Sequence, residues 1–249
     1  MNDLELHGAY TYMNAARTVL DKVAQTQGTA IGQAAHAIAE SIKSGGIIYL
    51  FGTGHSHLLA LEGHHRAGGL APVCPILTSS LMLHESSITA GKLERIVGIA
   101  PIILARYQPT SKDVLIVFSN SGVNAVPVEM ALSAKKQEMT VIAVISMQYA
   151  SQAPLSSLGV RLSEVADITI DNLVPPGDVI VDIEDIGLRV GPLSTLTGVF
   201  ILNAIFTEVA YRLAREGYTP MVYISANMPG ATEHNNQLRS IYRNRNPHI

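Results

Sequence analysis

Two short segments hold the residue types that bind an oxyanion. One reads Phe51-Gly52-Thr53-Gly54-His55-Ser56, the other Phe118-Ser119-Asn120-Ser121-Gly122-Val123-Asn124. In the second, Ser119, Ser121 and Asn124 can donate side-chain hydrogen bonds, and Gly122 lets the backbone come close to an anion. Neither segment contains Lys or Arg. Negative charge would therefore be met by hydroxyls, backbone N–H groups and a helix dipole. That set suits a phosphate monoester that is bound and released, rather than a nucleotide held with magnesium. A Walker loop would need Gly-Lys-Ser/Thr, which is absent. A dinucleotide fingerprint would need glycine where His57 stands and an acid near the end of the next strand, and 72–80 holds none. No cofactor is called for.

Moving a proton between adjacent carbons of a sugar phosphate needs a base and a stabilised enediolate. Glu62 and His65 are three apart and would share a face of a helix over 56–67. Glu62 also has Arg66 four residues on as a surface partner. His84 and Glu85 follow the second apolar run, near the carboxyl end of a sheet. His234 is a further candidate. His55, His57, His64 and His65 do not form a convincing set of three or four zinc ligands, so no metal is expected.

The elements that must position these groups alternate. Helical spacing runs over 10–43, broken at Gly28. Short apolar runs at 47–51, 72–77, 114–118 and 141–145 lack polar alternation, as strands buried on both faces do. A further strand is expected at 167–170. Helical patterns fall at 56–67, 124–137 and 194–216, with something helical within 81–106. Pro175-Pro176-Gly177 reads as a turn, and 221–249 gives no clear pattern. Alternating β and α segments predict an α/β fold with a parallel sheet and helices on both faces. Both oxyanion segments then join a strand to a helix at the carboxyl ends of strands, where open α/β sheets bind ligands. Asn124 sits at an N-cap position, and Pro127 is tolerated in a first helical turn.

Composition narrows the function classes. The 249 residues are 47% hydrophobic and 15% charged, with formal net charge -3. A sizeable core is expected, with apolar surface left for self-association. There is no basic stripe with interleaved aromatics, so nucleic acid is not an expected partner. Arg239, Arg243 and Arg245 read as a solvated or interface-forming tail. Cys74 is the only cysteine. It lies in an apolar run, reads as a small buried hydrophobe, and fits a reducing cytoplasm. The start of the chain, with Asp3 and Glu5, is no signal peptide. No apolar run is expected to span a membrane.

The 114–124 stretch, Val-Leu-Ile-Val-Phe-Ser-Asn-Ser-Gly-Val-Asn, resembles the strand and phosphate loop of the SIS (sugar isomerase) domain family. That loop occurs in the isomerase domain of glucosamine-6-phosphate synthase and in phosphoheptose isomerase. The segment Gly52 to Ser56 is similar to the family's first loop. Ala166-Asp167-Ile168-Thr169-Ile170 looks like its fifth strand, and Leu193-Ser194-Thr195 resembles its Ser-Thr signature. Ser225-Ala226-Asn227-Met228-Pro229-Gly230 and Glu233-His234-Asn235 look typical of stand-alone SIS proteins of the phosphoheptose-isomerase kind. The resemblance covers roughly 33–215. It implies a three-layer α/β/α sandwich with a five-stranded parallel, flavodoxin-like sheet. One SIS domain would fill 1–249, with N-terminal helices over about 1–45 and a tail over about 218–249.

The resemblance also implies homodimers or homotetramers with sites near subunit interfaces, and a phosphorylated sugar as ligand. It carries Ser56, Ser119, Ser121 and Asn124 over as phosphate contacts, with Gly52, Thr53, Gly54, His55, Asn120, Gly122, Ser194 and Thr195 around them. Arg66 stands where phosphoheptose isomerase has a glutamate ten residues beyond the first-loop serine. The base is thus left among Glu62, His65, His84 and Glu85. Two functions stay open: a sugar-phosphate isomerase, or a non-catalytic phosphosugar sensor.

Overall fold

The computed structural model describes residues 6–183 and 186–249. Asp3 and Glu5 lie outside the described residues. In chain order the elements are α1 (His7–Thr26), α2 (Gly28–Lys43), β1 (Ile48–Gly52), α3 (His57–Glu62), β2 (Val73–Pro75), α4 (Ser87–Leu93), α5 (Ile99–Ala105), β3 (Val114–Phe118), α6 (Ala125–Lys136) and β4 (Thr140–Ile145). Then come α7 (Met147–Gln152), α8 (Leu162–Val165), β5 (Ile168–Asp171), β6 (Val179–Ile183), β7 (Leu188–Pro192), α9 (Ser194–Arg215) and α10 (Ala231–Tyr242).

Five strands pair in parallel in the order β2-β1-β3-β4-β5. This is the flavodoxin-like order, and its switch point lies between β1 and β3. Successive side chains enter opposite cores, which is why the strands show no polar alternation. Ile48, Leu50, Ile116 and Val144 pack on one face with α2 and α9. Tyr49, Phe51, Leu115 and Ile145 pack on the other with α5 and α6.

Several expectations are corrected. The helix expected over 56–67 is a 3-10 turn at Gly54–Ser56 followed by α3, which stops at Glu62. Gly63 packs where a Cβ would lie 2.3 Å from Leu50 Cδ1, and His65 turns into the left-handed region at φ 44°. Glu62 and His65 therefore share no helix face. The stretch 81–106 holds two helices, α4 and α5, and the Glu129 carboxylate accepts from the N–H groups of Gly98 and Ala100 at the start of α5.

After the Pro175-Pro176-Gly177 turn, β6 and β7 form an antiparallel hairpin against α1 that the sequence pattern did not announce. Contrary to expectation, α9 is long and apolar enough to cross a membrane by length and composition. Its Ile201, Leu202, Ile205 and Val209 are instead fully buried in the core.

The chain end forms α10 and then a strap over the edge of the sheet. Asn246 donates through Nδ2 to the Val73 carbonyl at 3.0 Å, and Arg245 bonds the buried Asp113 at 2.6 Å. Arg245 is thus an internal anchor, not a solvated tail residue. His248 packs near His64, with ring centroids 6.1 Å apart, and its Nε2 lies 3.1 Å from the Tyr107 hydroxyl.

Burial, then the neighbouring His248 and His65, hold the His64 imidazole down to about 4 from the ordinary 6.5. Burial lowers His248 as well. The unfolded chain takes up protons near pH 6.5 that the folded protein refuses until about pH 4. Stability therefore falls as pH drops through that window. Melting temperatures measured across it should decline, and His64→Gln should flatten the decline. A profile identical to wild type would refute this role for His64.

Candidate active site

The two oxyanion segments meet at the switch point. Gly52 is the register partner of Phe118, so the loops leave the sheet at the same level, side by side. The first needs glycine at position 52, since a Cβ there would lie 2.4 Å from the Ser56 carbonyl oxygen. In the second, Gly122 takes the left-handed φ of 62°, and its N–H donates to the Ser119 carbonyl at 3.0 Å. The loop then runs into α6, whose N-cap is Asn124.

Asn124 makes no side-chain capping bond. Among the described residues, the N–H groups of Asn120, Ser121, Val123 and Asn124 find no acceptor. The hydroxyls of Ser56, Ser119 and Ser121 make no hydrogen bond either. The loop thus presents unpaired donors at the start of a three-turn helix, where the dipole also favours an anion. Asn120 is the exception. Its Oδ1 accepts from Asn172 at 3.0 Å, and its carbonyl takes the Ser146 N–H, which fixes the loop onto β4 and β5.

The loops open on a chamber of about 480 Å3, lined by Thr53, Gly54, His55, Ser56, Ser119, Asn120, Ser121, Asn124 and Ser194. A crevice of about 10 Å3 beneath adds Thr195. Gly52 and Gly122 shape the loops from behind. Most of the binding residues expected from sequence are therefore brought together.

The expected bases are not. Glu62 accepts from Asn203 at 3.0 Å and pairs with Arg66, away from the chamber. His65 packs against Tyr223 with ring centroids 4.6 Å apart and the rings tilted by 47°, and its Nε2 sits 3.1 Å from Arg239. His84 and Glu85 are exposed between Leu83 and Ser87, which line the chamber while they do not. His234 contacts the Val222 carbonyl at 2.9 Å.

Sequence reasoning missed Glu94 and Asp178, the two carboxylates on the chamber wall. Asp178 accepts from the N–H groups of Leu193 and Ser194 and, at 2.6 Å, from the Ser194 hydroxyl. It caps α9 and uses its oxygens in doing so. Glu94 accepts from the Thr53 hydroxyl at 2.6 Å. Its backbone carbonyl takes the Val126 N–H at 2.9 Å, tying the end of α4 to α6. Neither acid lies in a loop motif, so no local signal marks them. Among the described residues, no three His, Cys, Asp or Glu side chains gather as metal ligands.

The SIS domain profile matches residues 11–146, which include both loops. The chain belongs to the SIS domain family. A UPF0309 protein of Brucella canis is 45% identical over 217 residues, 87% of this chain and 88% of that protein. Among solved structures, the phosphoheptose isomerase of Neisseria gonorrhoeae superposes with TM-score 0.55 at 16% identity, covering 82% of this chain and 97% of that one. The sugar isomerase domain of the RpiR transcription factor of Sphaerobacter thermophilus gives 0.53 at 15% identity, covering 96% and 99%. At these identities the structures show that the SIS fold is shared. The five-stranded parallel sheet with helices on both faces is that fold.

Proposed function

We propose that this SIS protein binds a phosphorylated sugar in the chamber between the two loops and interconverts its aldose and ketose forms. The observation that carries the reading is the set of unpaired donors in 119–124, a loop whose Ser119, Asn120, Ser121 and Asn124 line a chamber large enough for a sugar phosphate. The phosphate sits on Ser119, Ser121, Asn124 and the free N–H groups, with Ser56, Gly54 and His55 from the first loop facing the sugar. Thr195 in the crevice completes the wall.

Glu94 is the carboxylate placed to move a proton between carbons. Its Thr53 bond holds it still, and the family likeness to a phosphoheptose isomerase supports the reaction. His84 and Glu85, exposed next to Leu83 of the chamber wall, are second in line. The likeness to the sugar isomerase domain of a transcription factor supports the other reading, a non-catalytic phosphosugar sensor.

The protein acts in the cytoplasm as a homodimer or homotetramer. The single buried Cys74, whose thiol burial pushes up to about 12, suits a reducing compartment. Exposed Tyr10 and Met13 on α1, Leu188 on the hairpin, and Phe200 and Tyr211 on α9 supply apolar surface for self-association.

A thermal-shift screen against a panel of sugar phosphates tests the reading. Each stabilising ligand is then incubated in deuterated water and read by NMR. Deuterium beside the carbonyl is expected from an isomerase. Stabilisation without exchange decides for the sensor, and a panel with no stabilising ligand removes both readings.

A further inference from the structure

The phosphate loop holds no cation, yet a phosphate monoester brings roughly two negative charges at neutral pH. Among the described residues, Arg95 is the one Lys or Arg side chain lining the chamber. It also lines an adjoining pocket of about 390 Å3 reached past Ser121 and Asn124. Arg95 therefore lines both spaces, and it shares them with Ser121 and Asn124 of the loop. The backbone is fixed there, because the Val126 N–H bonds the Glu94 carbonyl and so clamps the end of α4 to the first turn of α6.

The side chain itself is loosely held. It is 61% exposed and rests on Glu94 Oε1 at 2.9 Å and on the Gly91 carbonyl. An exposed ion pair of this kind contributes little. An arginine on a phosphate, by contrast, gives charge-assisted and commonly bidentate hydrogen bonds.

We propose that Arg95 is the charge partner of the ligand's phosphate. It lies folded on Glu94 in the free protein and turns onto the phosphate oxygens when the anion enters loop 119–124. Glu94, tied to Thr53 of the first loop, parks the guanidinium beside the second loop until then. The proposal rests on the phosphosugar reading and adds to it the source of the positive charge.

The test is calorimetric titration of the full-length protein with inorganic phosphate and with fructose 6-phosphate, at low and high sodium chloride. Arg95→Ala should weaken both about 10- to 100-fold, and Arg95→Lys should restore part of the loss. Wild-type affinity should fall with added salt, while that of Arg95→Ala should be nearly flat. A purely structural arginine would not change the salt dependence. If Arg95→Ala binds both probes as wild type does, with the same salt dependence, the proposal is overturned and the phosphosugar reading stands. If wild type binds neither probe, nor any sugar phosphate of the thermal-shift panel, the proposal falls with that reading.

Discussion

Replacing Ser119 and Ser121 together by alanine is expected to weaken sugar-phosphate binding by at least about 100-fold. Each hydroxyl that donates to a charged phosphate contributes about 1.5–3 kcal/mol, so two contribute about 3–6 kcal/mol before any coupling. Neither hydroxyl supports the fold. The loop is held by backbone bonds from Ser119 N–H to the Val144 carbonyl and from Gly122 N–H to the Ser119 carbonyl, which the substitutions leave intact. Melting temperature should therefore stay near wild type while calorimetric affinity collapses. Unchanged affinity for a ligand that binds wild type would mean that the phosphate sits elsewhere.

The second large effect is on stability. Asp113 is only 1% exposed and serves four donors. Its Oδ1 accepts from the Ile47 N–H at 2.8 Å. Its Oδ2 accepts from the Thr110 N–H at 2.6 Å, the Thr110 hydroxyl at 3.1 Å and Arg245 at 2.6 Å. Asp113→Ala leaves a buried N–H and a partly buried guanidinium without their acceptor, a change that costs about 3–5 kcal/mol. Urea denaturation should show the midpoint lowered accordingly. Adding Arg245→Ala to that variant should cost little more, because the two side chains act as one unit. A loss under about 1 kcal/mol for Asp113→Ala would show that the strap from Arg245 to His248 does not depend on this anchor.

The strands β1 to β4 were legible because their residues are buried on both faces, which leaves a short run of apolar and β-branched residues between turn signals. The oxyanion loops were legible for a local reason as well. Gly52, Gly122 and Asn124 are the residue types that close backbone approach, a left-handed turn and a helix start require, and such requirements are met within a few positions of the chain.

The acids could not be read in the same way. Glu62 and His65 looked paired on a helix, but α3 ends at Glu62, and His65 turns left-handed where its ring packs on Tyr223, a residue of another segment. Glu94 reaches the chamber only because the end of α4 is bonded to the start of α6, and Asp178 only because the β6–β7 hairpin folds back to α9. Beyond α10 the tail gave no periodic signal, since Arg245 and Asn246 are held by polar bonds to Asp113 and Val73 and not by an apolar face.

The sequence by itself therefore determined the layered α/β architecture and the two loops, because strand burial and turn conformation are dictated by neighbouring residues. Only the tertiary structure decided which charges face the chamber. That choice depends on contacts between segments tens of residues apart, and local propensity carries no information about them.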